Sequence, residues 1–252
     1  MGYSIVFANQ KGGVGKTTTT VNLGSYLAKA GNKVLLVDFD SQGNLSSSVG
    51  ADKNLPGIYE AITGKVDVKK VVQPTIVKDL HIITSNINLT GATIELVEYE
   101  DREYYLKRTL DVIKDEWDFI FIDCPPSLGL LTLNGLTAAD SIIIPLQCEY
   151  YALEGLSLLL KTVQTVQAKL NPRITICGIL FTMFDSRTKL ANEVVQQVTG
   201  YFKEKVFRTV IPRNVKLSEA PSHAKPISEY DANCIGALSY ANLAKEVMNR
   251  VK

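Results

Sequence analysis

Residues 9–18 read Asn9-Gln10-Lys11-Gly12-Gly13-Val14-Gly15-Lys16-Thr17-Thr18, directly after the apolar run Ile5-Val6-Phe7-Ala8 and before a helix-like stretch. A strand, a glycine-rich turn and a helix in that order form the context of a phosphate-binding loop. Glycines at 12, 13 and 15 let the backbone curl so that successive N–H groups face phosphate oxygens, an approach that a Cβ would block. Lys16 supplies a point charge to the β- and γ-phosphates, the Thr17 hydroxyl is placed to coordinate magnesium, and Thr18 is expected among the nucleotide-binding residues. The helix that follows aims its positive end at the anion. The common pattern G-x-x-x-x-G-K-[ST] needs glycine at position 10. This chain has Gln10 there, and it carries a second lysine, Lys11, ahead of the glycines.

Working outward, the 252 residues are 46% hydrophobic and 21% charged, which suits one large α/β domain spanning 1–252 with a well-buried core. Short β-rich runs alternate with amphipathic helical stretches. That pattern predicts a mostly parallel, twisted sheet flanked by helices on both faces. Strands are expected near 3–8, 33–38, 81–84, 118–123, 141–145, 174–181 and 206–210. The run Lys33–Asp38 is almost continuously apolar, as a strand buried on both faces must be. Leu106, Leu110, Ile113 and Trp117 recur as one helical face, and Leu153, Leu156, Leu160, Val163, Val166 and Leu170 as another, ended by Asn171-Pro172.

Charge nearly cancels, at +1, so a polyanion-binding surface would have to be local. Residues 93–118 hold nine acids against four bases, and residues 187–225 hold eight bases against three acids. The four cysteines are scattered, with no C-x-x-C pair, which fits buried thiols in a reducing cytosol better than a disulfide framework or a zinc site. The N-terminus runs straight into the first strand, unlike a secretory leader, and no apolar run approaches a membrane span. The terminal stripe Ile235, Leu238, Val247, Met248 and Val251 lacks Phe and Trp, so a packed helix is expected there rather than a membrane anchor.

Two further segments complete a nucleotide site in order. The second strand ends Asp38-Phe39-Asp40, and carboxylates at the carboxyl end of a strand lie where open α/β sheets bind ligands. Spaced i, i+2, the two acids are expected to share a side, one facing magnesium through water and the other holding the attacking water. The strand Phe119-Ile120-Phe121-Ile122-Asp123 ends in a carboxylate that would bind a magnesium-ligated water or Thr17. His81 and His223 read as structural. Lys11 is the natural candidate for stabilising transition-state charge, and its position suggests reach to a neighbouring subunit's phosphates.

These residues resemble the ParA/MinD branch of deviant Walker ATPases, and specifically the chromosomal ParA/Soj partition ATPases. The likeness runs nearly the full length. It rests on the 9–18 loop, on Asp123-Cys-Pro-Pro-Ser-Leu-Gly, on Gln147-Cys-Glu-Tyr-Tyr-Ala-Leu-Glu-Gly, and on Ile211-Pro-Arg-Asn-Val-Lys-Leu-Ser-Glu-Ala-Pro-Ser. The resemblance implies ATP and magnesium as cofactors, a nucleotide-sandwich homodimer, and DNA binding without sequence preference. It also implies slow hydrolysis stimulated by a ParB-type centromere-binding protein, at a nucleoid-associated, cytoplasmic location and without a membrane partner. Lys11 matches the signature lysine acting across the dimer, Asp40 the residue that positions the water, and Pro212 and Asn214 the adenine-pocket segment. Arg187 and Lys216 match basic positions implicated in DNA binding. Ser41 departs from the family's usual proline, and Lys216 keeps phosphate attraction without an arginine's bidentate fork.

Three other kinds of protein would need features that this sequence lacks. A MinD-like membrane ATPase would need the terminal anchor discussed above. A nitrogenase-iron-protein-like carrier would need Cys124 and Cys148 in glycine-flanked ligand turns, which they are not. A nucleotide-switched repressor would need an additional DNA-binding domain ahead of a loop that here starts at residue 9.

Overall fold

The computed structural model describes residues 2–251. Among them, seven strands form one sheet: β1 (Tyr3–Phe7), β2 (Val34–Asp38), β3 (Val72–Pro74), β4 (Leu80–Ile83), β5 (Phe119–Asp123), β6 (Ser141–Gln147) and β7 (Thr175–Thr182), in the spatial order β3-β4-β2-β5-β1-β6-β7. The helices up to β7 are α1 (Lys16–Lys29), α2 (Asn44–Ser48), α3 (Ile58–Ile62), α4 (Leu89–Glu95), α5 (Tyr105–Asp111), α6 (Leu130–Ala138) and α7 (Ala152–Lys169). After it come α8 (Lys189–Phe202), α9 (Val215–Glu219), α10 (Ile227–Tyr230) and α11 (Ile235–Arg250). Every pairing is parallel except that of β3 with β4.

The strands are apolar throughout because successive side chains enter two different cores. Ile5 and Phe7, Val34 and Leu36, Phe119 and Phe121 join α1, α2, α9, α10 and α11 on one face. Val6, Leu35 and Val37, Ile120 and Ile122 join α3 through α8 on the other. The α11 face that meets α1 is Ala237, Tyr240, Ala244 and Val247, at helical spacings of three, four and three. That corrects the expected stripe: Val247 belongs to it, but Ile235 and Leu238 are 58% and 54% exposed. Among the described residues, no helix is long and apolar enough to cross a membrane.

Two expectations about elements fail for local reasons. No regular strand forms over 206–210. Phe207 N donates to Ile179 O at 2.9 Å and Ile211 N to Phe181 O at 2.9 Å, but the carboxylate of Glu246 takes the N–H groups of Arg208 and Thr209 at 2.8 and 3.0 Å. The segment therefore bows off the β7 edge between two anchor points. The helix through Leu106 and Leu110 stops at Asp111, and Trp117 is extended rather than helical. It remains a packing residue, partly buried, with its ring 5.1 Å from that of His81.

Candidate nucleotide site

Parallel pairing brings three strand ends to one rim: Phe7 lies beside Asp123 and Ile143, and Asp38 beside Asp123. The loop that leaves β1 at this rim is pinned on both sides. Asn9 Nδ2 donates to Pro145 O at 2.8 Å and Asn9 Oδ1 accepts from Lys11 N at 3.0 Å. Across the loop, Thr182 Oγ1 donates to Val14 O at 2.8 Å. Gly13 and Gly15 take positive φ, 72° and 85°, a region costly to residues with a Cβ. Gly12 does not: a Cβ there would stop 3.8 Å from Pro126, so the structure requires only two of the three glycines for their backbone.

Gly15 caps α1 without a side-chain acceptor, and the first turn carries no acid. Its leading N–H groups are left for an anion. Lys16 is only 7% exposed and folds back over the loop, its Nζ donating to Lys11 O at 3.2 Å. Burial lowers its pKa, while Asp123 pulls it back up. Thr17 Oγ1 donates to Asp123 Oδ2 at 2.6 Å, and Asp123 is buried, its carboxyl pushed up to about 8 by burial and then by neighbouring Asp38. A protein that buries a lysine next to two crowded carboxylates has built a site whose charges want partners.

A cleft of about 670 Å³ opens above this rim. Gly12, Gly13, Gly15, Lys16, Thr17, Thr18, Asp40, Pro212 and Asn214 all line it, so most of the sequence-expected ligand residues converge. Asp38 is placed elsewhere. Its carboxylate accepts from Ser46 N at 2.8 Å, Ser46 Oγ at 2.6 Å and Asp40 N at 3.3 Å, and burial raises its pKa to about 6. The two acids do not share a side because the chain turns at Asp40, whose carbonyl accepts from Gly43 N at 2.9 Å. Asp38 braces the turn and Asp40 faces the cleft. Lys11 lies outside the cleft lining and pairs with Glu149, both side chains 44% exposed. Arg187 and Lys216 also lie outside the lining. Arg213 and Ser218, from the 211–222 run quoted above, also line the cleft, and Thr182 and Tyr240 join it without a sequence signal. These last two arrive by tertiary contact, as when Tyr240 OH shares a 3.2 Å hydrogen bond with Thr19 Oγ1.

Among the described residues no group of three or more His, Cys, Asp or Glu is arranged to hold a metal alone. This donor set fits magnesium shared with phosphate: one hydroxyl, a carboxylate behind it, and room in the cleft. A larger cavity, about 860 Å³, lies between α8 and α11 and is lined by Phe181, Val206 and Phe207. It has no phosphate-facing loop, so chemistry rather than size selects the smaller cleft.

A glycine loop at the end of β1, an uncapped helix behind it and a threonine–aspartate pair beneath define a phosphate-loop nucleoside triphosphatase of α/β fold. A family model described as an AAA domain matches residues 2–176. The chain is 61% identical over 250 residues to the chromosome-partitioning ATPase Soj of Treponema pallidum, covering 99% of this chain and 98% of that protein. It is 55% identical over 249 residues to the sporulation initiation inhibitor protein Soj of Bacillus subtilis, with 98% of each covered. Its fold matches cobyrinic acid a,c-diamide synthase of Mycobacterium smegmatis, solved with bound ATP analog and magnesium, at a TM-score of 0.90 and 37% identity, over 100% of this chain and 96% of that one. This chain belongs to the Soj/ParA family of chromosome-partitioning ATPases, and it is an ATPase with ATP and magnesium as cofactors.

Proposed function

We propose that ATP assembles two copies of this chain into a two-fold dimer that binds DNA without reading sequence, and that a ParB-type partner resets it by stimulating hydrolysis. On this reading the protein moves chromosomal or plasmid DNA in the cytoplasm, associated with the nucleoid. The observation that carries it is the division between two lysines. Lys16 sits inside the cleft, while Lys11, five residues earlier, is held at the rim by Glu149. A second lysine aimed at the same phosphates would be redundant within one subunit. Across a two-fold axis, where two polyphosphates face each other, it neutralises charge that nothing else covers. An exposed ion pair contributes only about 0–1 kcal/mol, so Glu149 releases Lys11 at small cost.

Within one subunit, the α1 N–H groups and Lys16 hold the β- and γ-phosphates, and Pro212 and Asn214 meet the base. Thr17 and Asp123 would hold magnesium, with Asp40 at its water shell; when bound, the ion neutralises phosphate charge and favours displacement at the γ-phosphorus. Asp40, facing the cleft with Asp38 bracing its turn, orients the attacking water. Arg187 and Lys216 supply phosphate contacts on the outer surface.

Sizing the protein with ADP, ATP and a slow-hydrolysing analogue tests the reading, with and without unrelated duplexes at two salt concentrations. ATP alone should give the dimer, and Lys11→Ala should bind ATP yet stay monomeric. Arg187→Glu should dimerise but bind every duplex more weakly. Affinity should fall with salt by a slope of about −0.9 per neutralised phosphate. Normal dimerisation of Lys11→Ala would remove the trans role, and salt-insensitive binding would remove the DNA surface.

A further inference from the structure

The loop after β7 is zipped to the strip that follows the bowed segment: Phe184 N donates to Ile211 O at 3.0 Å and Arg213 N to Phe184 O at 3.2 Å. This brings Arg187, Arg213 and Lys216 to one region beside the nucleotide cleft, which Arg213 itself lines. The basic side chains here are not bare. Asp185 Oδ1 accepts from Arg187 Nε at 2.9 Å and Asp185 Oδ2 from Arg187 Nη2 at 2.7 Å, a two-pronged pairing on a side chain that is 86% exposed. Lys216 Nζ lies 3.0 Å from Glu219 Oε2, and Lys189 Nζ 3.7 Å from Glu193 Oε1. Each carboxylate is two to four residues from its base.

We infer that Asp185 is a built-in stand-in for a DNA phosphate: it occupies the Arg187 fork in the free protein, and DNA must displace it to bind. The inference rests on the DNA-binding reading above and deepens it. Two carboxylate oxygens meet a guanidinium edge much as two phosphate oxygens do, so the pairing keeps the fork extended while cancelling its charge. The hydrogen bonds from Arg187 hold the Asp185 carboxyl at about 2, so the stand-in stays ionised at any working pH. Glu219 plays the same part for Lys216, more weakly, because an ammonium is a point charge rather than a fork. Each DNA contact therefore exchanges an internal ion pair for an external one and gains little by itself. Tight binding requires several exchanges at once, which two subunits on one duplex supply. The masks thus favour the assembled dimer over the monomer and keep unassembled protein off DNA.

Asp185→Asn tests this, because the amide Oδ1 can still accept the Arg187 N–H that Asp185 Oδ1 accepts at 3.1 Å in shaping the turn. Binding of an unrelated duplex with ATP is measured by anisotropy for wild type, Asp185→Asn, Arg187→Ala and the double variant. Glu204→Gln serves as an equal charge change on an exposed residue outside the strip. Each protein is first sized with ATP to show that it folds and dimerises. Asp185→Asn should bind about two- to fivefold tighter, the range an exposed ion pair allows. The gain should vanish when Arg187 is Ala, and Glu204→Gln should give less. Glu219→Gln, read against Lys216→Ala, repeats the cycle at the second pair with a smaller gain. Unchanged or weaker binding by Asp185→Asn overturns the inference, as does the same gain in the Arg187→Ala background or in Glu204→Gln. Wild type that fails to bind any duplex with ATP overturns the DNA reading itself, and this inference with it.

Discussion

On the proposed reading Lys16 serves nucleotide binding and Asp40 hydrolysis, and single substitutions should separate the two. The Lys16 ammonium is buried against the loop and faces Asp123, so Lys16→Ala removes the charge that offsets β- and γ-phosphate repulsion. Charge-assisted hydrogen bonds contribute about 1.5–3 kcal/mol, so ATP affinity should fall roughly 10- to 100-fold in calorimetric titration. Equal affinity would move the phosphate site elsewhere. Asp40→Ala leaves the loop intact, so ATP should bind as before while hydrolysis drops by about 10²–10⁴-fold, the usual contribution of a positioned proton acceptor. A variant that hydrolyses normally would take the water from Asp40, and Asp38, its carboxylate filled by Ser46, offers no simple replacement. At this scale the sequence displayed the loop because phosphate chemistry restricts residue type at each position. It could not display the split between Asp38 and Asp40, since spacing of two implies a shared side only where the chain stays extended. Glu149 beside Lys11 lay equally out of reach, because a contact 138 residues apart leaves no local pattern.

The elements that carry the site were readable where burial is one-dimensional. Strands covered on both faces announce themselves as apolar runs, and β1, β2, β5 and β6 all do. The edges do not. β3, three residues long and ending in Pro74, pairs antiparallel only with β4 and has no periodicity to detect. The 206–210 run has strand composition, but Glu246 from α11 claims two of its N–H groups. Residue preferences suggest a strand and a distant carboxylate decides otherwise. The close approach of α6 to the sheet is a further hidden feature, and it yields a prediction. A Cβ at Gly135 would come within 2.5 Å of Cys124 Sγ and 3.2 Å of Val6 Cγ2. Gly135→Ala gains about 1 kcal/mol of helix propensity but must push α6 off β5, and overpacking of that kind costs about 1–3 kcal/mol. The urea midpoint should fall. ATP affinity should fall with it, since Cys124 directly follows Asp123. A raised midpoint would show that the helix shifts freely.

Over the whole molecule, parallel strands separate chemistry from anchorage. Their carboxyl ends hold the cleft, and their amino ends hold a polar clamp in which Asp140 Oδ2 accepts from Lys114 Nζ at 2.8 Å, Ser4 Oγ at 2.8 Å and Ser4 N at 2.8 Å. The charge asymmetry read from sequence resolves in the same way. Acids of the 93–118 stretch are partly paired, Asp111 with Lys107 and Asp101 with Arg108 inside it and Glu116 with Lys69 from outside it, so its excess of acids overstates its field. Lys114 in the clamp is 11% exposed, and losing its partner leaves an ammonium with little water. Asp140→Asn should therefore cost about 1.5–3 kcal/mol at neutral pH, without touching ATP affinity, because the clamp lies at the opposite end of the strands. The pH dependence has a definite sign. Burial alone would raise the Asp140 pKa, but the hydrogen bonds from Lys114 and Ser4 outweigh it and hold it below the ordinary carboxylate value. The unfolded chain therefore binds more protons in that range, and the clamp's contribution is complete above about pH 4 and lost as pH falls through the lower, folded value. Urea melts of wild type and Asp140→Asn should differ most near neutrality and converge in acid. A gap that persists below the folded pKa would mean that Asp140 stabilises by shape and not by charge.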